Sequence, residues 1–460
     1  MNRTRLLLAS SLALGTLASL AGPAAAQTLS AQAEPKKDAD KVAAPSGSSA
    51  FERAFTSEEV VQADPRHFEA MDWTNAQAEE LLGVIRAIDA EGLVPADYLP
   101  EELAAALQAN DEQQIDELAS TAFAWLVEDL RDGRTPMANR RQWFVLDPDA
   151  DRNPTATVMA NALETGDIAG TLEALKPTHP DYAALRDKLA QTPAGDTEER
   201  RLIRANMDRW RWLARDLGPQ YLITNVPEYQ LRLTVNNRII RTYRTVVGKP
   251  GRTATPQLAE TVSGVVFNPT WTVPQSIVRG EGLGERVLNN PSWAARQGYR
   301  ATRGANGYIS VVQQPGPGNA LGVMKLDMPN PHAIFFHDTP SRNMFNQDDR
   351  ALSHGCIRTE RALELAMTVA ILGQGATRDE AVEISTSGEY TRVPVKKTMP
   401  AYITYFTYGV DIDGNLRQFD DIYDRDEPVF ASLDAPRVRD RARVSSEEVI
   451  EVVDDPRDTL

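Results

Sequence analysis

The stretch SRNMFNQDDRALSHGCIRTERALELA, residues 341–366, holds the chain's single cysteine, Cys356, two residues after His354 and directly after Gly355. Three of the five histidines, His332, His337 and His354, fall in the 24 residues that precede it. A thiolate is a strong nucleophile where neighbouring charge favours it. A histidine can remove its proton and return it to a leaving group. A glycine permits the tight turn that aims backbone N–H groups at a developing oxyanion. The set therefore points to acyl transfer from a cysteine nucleophile. Two other uses of the same residues stand beside it. His332, His337, His354 and Cys356 offer four zinc donors, although His-x-Cys lacks the paired spacing of most zinc sites. A lone cysteine can also be an inert core residue, a reading that the crowding of histidines around it weakens.

Elements that would position these residues follow from periodicity. From Phe51 to about Thr192 the pattern is helical: Ala78, Leu82, Ile85 and Ile88 recur at helical spacing, as do Phe123, Leu126 and Leu130, with Gly92 and Gly133 as stops. Nothing in this region clusters acids, bases or nucleophiles. After Gly218-Pro219 the chain turns strand-like, in QYLITNV, YQLRLTV and RIIRTYRTVVG, with Asn236-Asn237 placed as a hairpin turn. VSGVVFN, GYISVVQ and HAIFFH continue the series, and His337 closes the last of them. A helix is expected behind Cys356, with Thr359 as N-cap and Gly373 as its end, so that its dipole would favour a thiolate. Arg350 and Arg358 are expected to add positive charge. Asp338, adjacent to His337 on a strand, would point to the opposite face; a backbone carbonyl is the better partner for the imidazole. The Gly-, Pro- and Asn-rich stretch from Asn268 to Gly322 reads equally as a lid or as a long surface loop, and Trp271 and Trp293 within it as groove lining or as packing.

Outside these regions the sequence reads as export signal, linker and tail. Arg3 and Arg5 precede an apolar run, Leu6 to Leu20, too short to span a bilayer, and Ala24-Ala25-Ala26 fits a signal-peptidase site, so residues 1–26 are expected to be a cleaved leader and the mature protein periplasmic. An uncleaved anchor is the alternative. In such a compartment an idle exposed thiol is a liability. Residues 27–50 are expected to form a disordered linker and residues 431–460 a disordered tail. The composition, 42% hydrophobic and 25% charged, is that of a folded protein. Its net charge of −16 disfavours nucleic acid and anionic membranes as partners.

HDTPSRNMFNQDDRALSHGCIR resembles the active-site signature of the L,D-transpeptidases with a YkuD-type catalytic domain, in both identity and spacing. NMDRWRWL, VVGKPGRTATP, VVFNPTWTVPQSI and PGPGNALGVMKLDMPN resemble the scaffold-bearing Gram-negative branch, and EGLVPADY with LVEDLRDGRT resembles its N-terminal scaffold; together the likeness runs from about Phe51 to Asp424. The fold this implies is α+β: a helical scaffold domain over 51–200, then a mostly β catalytic domain of YkuD-type β-sandwich with inserted helices over 219–388, and an extension over 389–430 packed upon it. By position, the resemblance makes Cys356 the nucleophile, His337 the proton acceptor and donor, His354 a supporting residue and Gly355 the oxyanion turn. It places Arg358, Ser353 and Asn319 at the substrate.

The resemblance implies no cofactor and no metal. The implied activity is peptidoglycan L,D-transpeptidation: a thioester with the third residue of a tetrapeptide stem, loss of D-Ala, and passage of the acyl group to an amine to give a 3→3 cross-link. Carboxypeptidase or endopeptidase action, protein anchoring, and a non-catalytic wall-binding scaffold are the alternatives. Peptidoglycan stem peptides are the implied partners, with wall-synthesis proteins as candidates. One departure is plain: about fifteen residues separate DYAALRDKLA from NMDRWRW, leaving no room for the peptidoglycan-binding module common in large members of the branch.

Overall fold

The computed structural model describes residues 70–439 and 442–448. The expected leader, the whole of the expected linker, residues 51–69 of the expected helical domain and the end of the tail lie outside the described residues. A helical half, residues 75–210, precedes a mostly β half that begins at Gln220. The helix Asn75–Arg86 starts at a capping box in which Thr74 and Gln77 satisfy each other's backbone N–H groups. Ala78, Leu82 and Ile85 are buried on it, and Phe123, Leu126 and Leu130 on the long helix Glu112–Asp132. These stripes close one core around Trp73, Phe123 and Met159.

The β half is built on an eleven-stranded curled sheet. In chain order its opening strands are β1 (Gln220–Asn225), β2 (Gln230–Val235), β3 (Arg238–Gly248), β4 (Leu258–Thr261) and β5 (Gly264–Phe267). Three short strands follow outside it, β6 (Trp271–Thr272), β7 (Tyr299–Arg303) and β8 (Ile309–Gln313). The sheet resumes with β9 (Met324–Asp327), β10 (Phe336–His337), β11 (Ala351–Ser353), β12 (Ile357–Thr359), β13 (Thr391–Pro394) and β14 (Pro400–Thr404). Its spatial order is β13-β5-β9-β10-β12-β3-β2-β1-β14-β4, with β11 beside β3. Asn236 and Asn237, at φ 49° and 55°, make the β2–β3 hairpin turn that their residue types predict.

Strand β1 is buried along its whole length because both faces are covered. Leu222 points into the main core of the β half with Leu231, Phe336 and Ile357. Its neighbours Tyr221 and Ile223 point the other way, into a second core with Trp210, Trp212 and Phe406 that joins the helices to the sheet. Alternation at period two thus glues the helical half to the β half through one strand.

Within residues 389–430, β14 pairs parallel with β1 and antiparallel with β4 inside the sheet. The helix Asp426–Asp434 runs on past residue 430 and buries Val429 and Leu433, and beyond it Arg437 reaches the helix Glu112–Asp132, with Asp129 at 2.9 Å and Glu128 at 2.8 Å. The helix is held by that short apolar pair and Arg437 beyond it by charge, too little of an apolar stripe to show a sustained period. Truncating one partner of a buried ion pair costs about 3 kcal/mol or more. Arg437→Ala is therefore expected to lower urea-unfolding stability by about that amount, whereas Arg443→Ala, which breaks the exposed pair with Asp151, should cost less than about 1 kcal/mol.

Candidate active site

The candidate site forms where β9, β10 and β12 lie side by side. β10 pairs parallel with β12, setting Phe336 against Ile357 and His337 against Arg358. On its other edge His337 faces Lys325 of β9. Phe336, Ile357 and Leu326 fill the core, and their alternation with His337 holds the imidazole on the opposite face. His337 is fully buried. Its Nδ1 lies 2.5 Å from the carbonyl oxygen of Asp338. A carbonyl can only accept, so Nδ1 carries the proton and Nε2 is the basic nitrogen. The Asp338 carboxylate is turned away from the ring: it accepts the Val323 N–H at 2.9 Å and pairs with Arg342 at 2.8 Å. Burial nonetheless raises its pKa. A side chain at Gly322 would come within 2.2 Å of that carboxylate, so the close approach needs glycine.

Cys356 sits one residue before β12, almost wholly buried, with Sγ 3.5 Å from the Ala333 carbonyl oxygen. Its turn is bridged by Ser353, whose Oγ donates to the Cys356 carbonyl at 2.7 Å and accepts the Gly355 N–H at 3.0 Å. Gly355 takes φ 121°, a conformation that L side chains rarely adopt. Its N–H is engaged by Ser353, so what this glycine supplies is the shape of the turn. The turn is braced from outside. Thr255 Oγ1 donates to the Gly355 carbonyl at 2.8 Å and accepts the Gly248 N–H at 2.9 Å. Tyr423 in turn donates its hydroxyl to the Gly248 carbonyl at 2.5 Å, and Lys249 N–H donates to the Ser353 carbonyl at 2.9 Å.

The helix expected at Thr359 begins instead at Ala362, because Ile357–Thr359 is a strand held between β10 and β3. The start of that helix is therefore separated from Cys356 along the chain by β12. Isoleucine and threonine favour the pleated strand, and a three-residue strand leaves too short a period to see. Arg350 and Arg358 are likewise buried beneath the site: Arg350 donates to the Thr245 and Gln347 carbonyls, and Arg358 Nη1 lies 3.1 Å from Met344 Sδ. Asn319 is buried too, its amide donating to the Pro269 and Gln314 carbonyls. Ser353, Arg358 and Asn319 are thus buried, with Ser353 bonded within the cysteine turn and the Asn319 amide within the 268–322 segment. His354 is half-buried at the turn. His332 packs at a tilt against Phe144, with ring centroids 4.2 Å apart, and among the described residues no three His, Cys, Asp or Glu side chains converge to hold a metal ion.

Residues 268–322 are not a loose loop. They fold into the sheet β6-β8-β7 and three short helices around their own core of Trp271, Ile277, Leu283 and Val311. Trp271 packs inside it, and Trp293 stacks on Tyr299. Phe335 touches both this core and the main core of the β half, with its ring 5.5 Å from that of His337. Thr255, Tyr423 and Lys325 are the site residues that the sequence alone did not single out. Strand alternation ahead of His337 carried a signal for Lys325; for the other two, which arrive from distant segments, there was none.

Comparison with known proteins agrees with this architecture. Residues 219–395 match the L,D-transpeptidase catalytic domain, YkuD, and residues 66–189 match the Scaffold domain. The β half therefore belongs to the L,D-transpeptidase catalytic-domain family and is carried on a Scaffold domain. A Haemophilus influenzae protein, named an L,D-transpeptidase by inference, is 28% identical over 223 residues, which cover 45% of this chain and 45% of that relative. Among solved structures, an L,D-transpeptidase from Mycobacterium smegmatis aligns at 14% identity and TM-score 0.21, covering 40% of this chain and 58% of its own. L,D-transpeptidase 1 of Mycobacterium tuberculosis aligns at 12% and 0.18, covering 40% and 61%.

Thr255→Val keeps the side chain's shape but leaves the Gly355 carbonyl and the Gly248 N–H without their hydroxyl partner. A buried polar group stripped of its bond costs about 1–3 kcal/mol. The expected result is a loss of that size in urea unfolding, together with faster hydrogen exchange in a peptide covering residues 351–358.

Proposed function

We propose that the chain is a peptidoglycan L,D-transpeptidase acting through Cys356 and His337. The observation that carries this reading is the β10–β12 pairing. It places a histidine with a carbonyl-fixed Nδ1–H one strand away from the turn that presents the chain's one thiol. His337 Nε2 removes the thiol proton, and Sγ attacks the carbonyl of the third residue of a tetrapeptide stem. As the C–N bond breaks, the imidazolium returns its proton to the departing D-Ala nitrogen, leaving a thioester. An incoming amine then gives up a proton to His337, attacks the same carbonyl and expels the thiolate, which is free for another cycle. Peptide-bond energy is conserved through the thioester, so no other energy source is required.

The folded segment 268–322 and the burial of Cys356 support an amine over water as acceptor, since a sheltered thioester resists hydrolysis. A 3→3 cross-link is the product this favours; hydrolytic release, protein anchoring and a non-catalytic wall-binding role are the competing outcomes. The leader-like sequence supports action in the periplasm, and no helix among the described residues is long and apolar enough to cross a membrane.

Intact-protein mass spectrometry tests the proposal. A disaccharide-tetrapeptide should give an adduct short of one D-Ala, and a carbapenem a stoichiometric adduct, both absent in Cys356→Ala. His337→Gln should slow acylation by roughly 10²- to 10⁴-fold, the usual contribution of a general base. Folded, reduced protein that forms neither adduct would overturn the enzyme reading and favour wall binding alone.

A further inference from the structure

Lys325 stands opposite His337 in the β9–β10 register, so the two side chains share a face. Phe335, two residues before His337, is on that face as well, and the Lys325 ammonium lies 4.0 Å from the centre of its ring. The Cys356 thiol adjoins the same segment, with Sγ against the Ala333 carbonyl. Asp327, the nearest acid along β9, is committed to Arg392 at 2.7 Å. Among the described residues no carboxylate lies within ion-pair distance of Lys325. Burial lowers its pKa, while the charges of Asp327 and of the Cys356 thiolate hold it up. Partial burial of an ammonium without a paired acid is unfavourable by itself. A cation retained there, beside nucleophile and base, is placed to meet an anion that arrives with the substrate.

We propose that Lys325 is the residue that recognises the donor, binding a carboxylate within a few bonds of the carbonyl that Cys356 attacks. This rests on the acyl-transfer reading above. The departing D-Ala carries such a carboxylate, and a diamino-acid third residue carries another; the chemistry of recognition is the same for both. A donor whose terminus is neutral would leave Lys325 unpaired beside the reacting centre, so the contact selects for a charged donor.

The first test needs no peptidoglycan. Alkylation of Cys356 by iodoacetate and by neutral iodoacetamide is followed by intact mass in the wild type, Lys325→Met and Lys325→Arg. The ratio of the iodoacetate rate to the iodoacetamide rate should fall roughly tenfold in Lys325→Met, as for the loss of one well-placed ionic contact, and should recover in Lys325→Arg. Equal falls for both reagents would mean that Lys325 only tunes the thiol. That result, an unchanged ratio, or a folded protein unreactive to both reagents would each overturn the proposal.

A second test identifies the source of the carboxylate. Acylation is measured with the tetrapeptide, with its D-Ala carboxamide, and with a third residue amidated at its other carboxyl group. The source is the group whose amidation slows the wild type as much as Lys325→Met does while leaving that variant indifferent. If neither amidation slows the wild type, donor recognition by Lys325 is wrong. If the wild type is not acylated by the unmodified tetrapeptide, it is the acyl-transfer reading that fails, and the alkylation ratio still decides whether a carboxylate site exists.

Discussion

The site depends on one short piece of β pairing: two residues of β10 laid parallel against β12, with Phe336 opposite Ile357 and His337 opposite Arg358. A slip by one residue would exchange the faces, driving the imidazole into the core and Phe336 out of it. The apolar core beneath therefore fixes the register, and the register fixes where the imidazole points. Such a short strand has little pairing strength of its own. It is held because β9 lies on one side, β12 on the other, and the core holds Phe336, Ile357 and Leu326 together.

Around that pairing the molecule supplies rigidity from remote parts of the chain. The cysteine turn is shaped by Ser353 and Gly355, but the Gly355 carbonyl is held by Thr255 and the Thr255 segment by Tyr423. Tyr423 lies beyond the residues that match the catalytic-domain family, and the strand β14 between them sits within the sheet. The helical half connects to the same sheet through the outer face of β1 and through the Arg437 ion pairs. The pair Cys356 and His337, proposed above as nucleophile and base, thus draws on hydrogen bonds and packing from most of the described chain, as preorganised sites require.

Much of this was legible in the residues. Period-3.6 stripes located the scaffold helices, period-2 stretches the strands, and Asn236-Asn237 the hairpin, since each is a local pattern dictated by burial on one face. The proximity of His337 and Cys356 was legible through their spacing and the family signature, and the use of a carbonyl in place of Asp338 through strand alternation. What escaped was non-local. β12 is too short to show a period and was hidden behind the helix that follows it. Arg358 and Asn319 are polar by type yet buried by tertiary packing, with Arg358 Nη1 against Met344 Sδ and the Asn319 amide on backbone carbonyls. Arg437 joins partners about three hundred residues away through charge alone, which no window of sequence can display.

Product analysis during turnover of a purified disaccharide-tetrapeptide bears most directly on the central claim. Chromatography coupled to mass spectrometry would follow D-Ala and muropeptides together. The account predicts one D-Ala released per new dimer, with the dimer linked between third residues and little free tripeptide. Release of D-Ala matched by tripeptide alone would contradict a sheltered thioester that prefers amines, and unchanged tetrapeptide would contradict acyl transfer by Cys356 altogether.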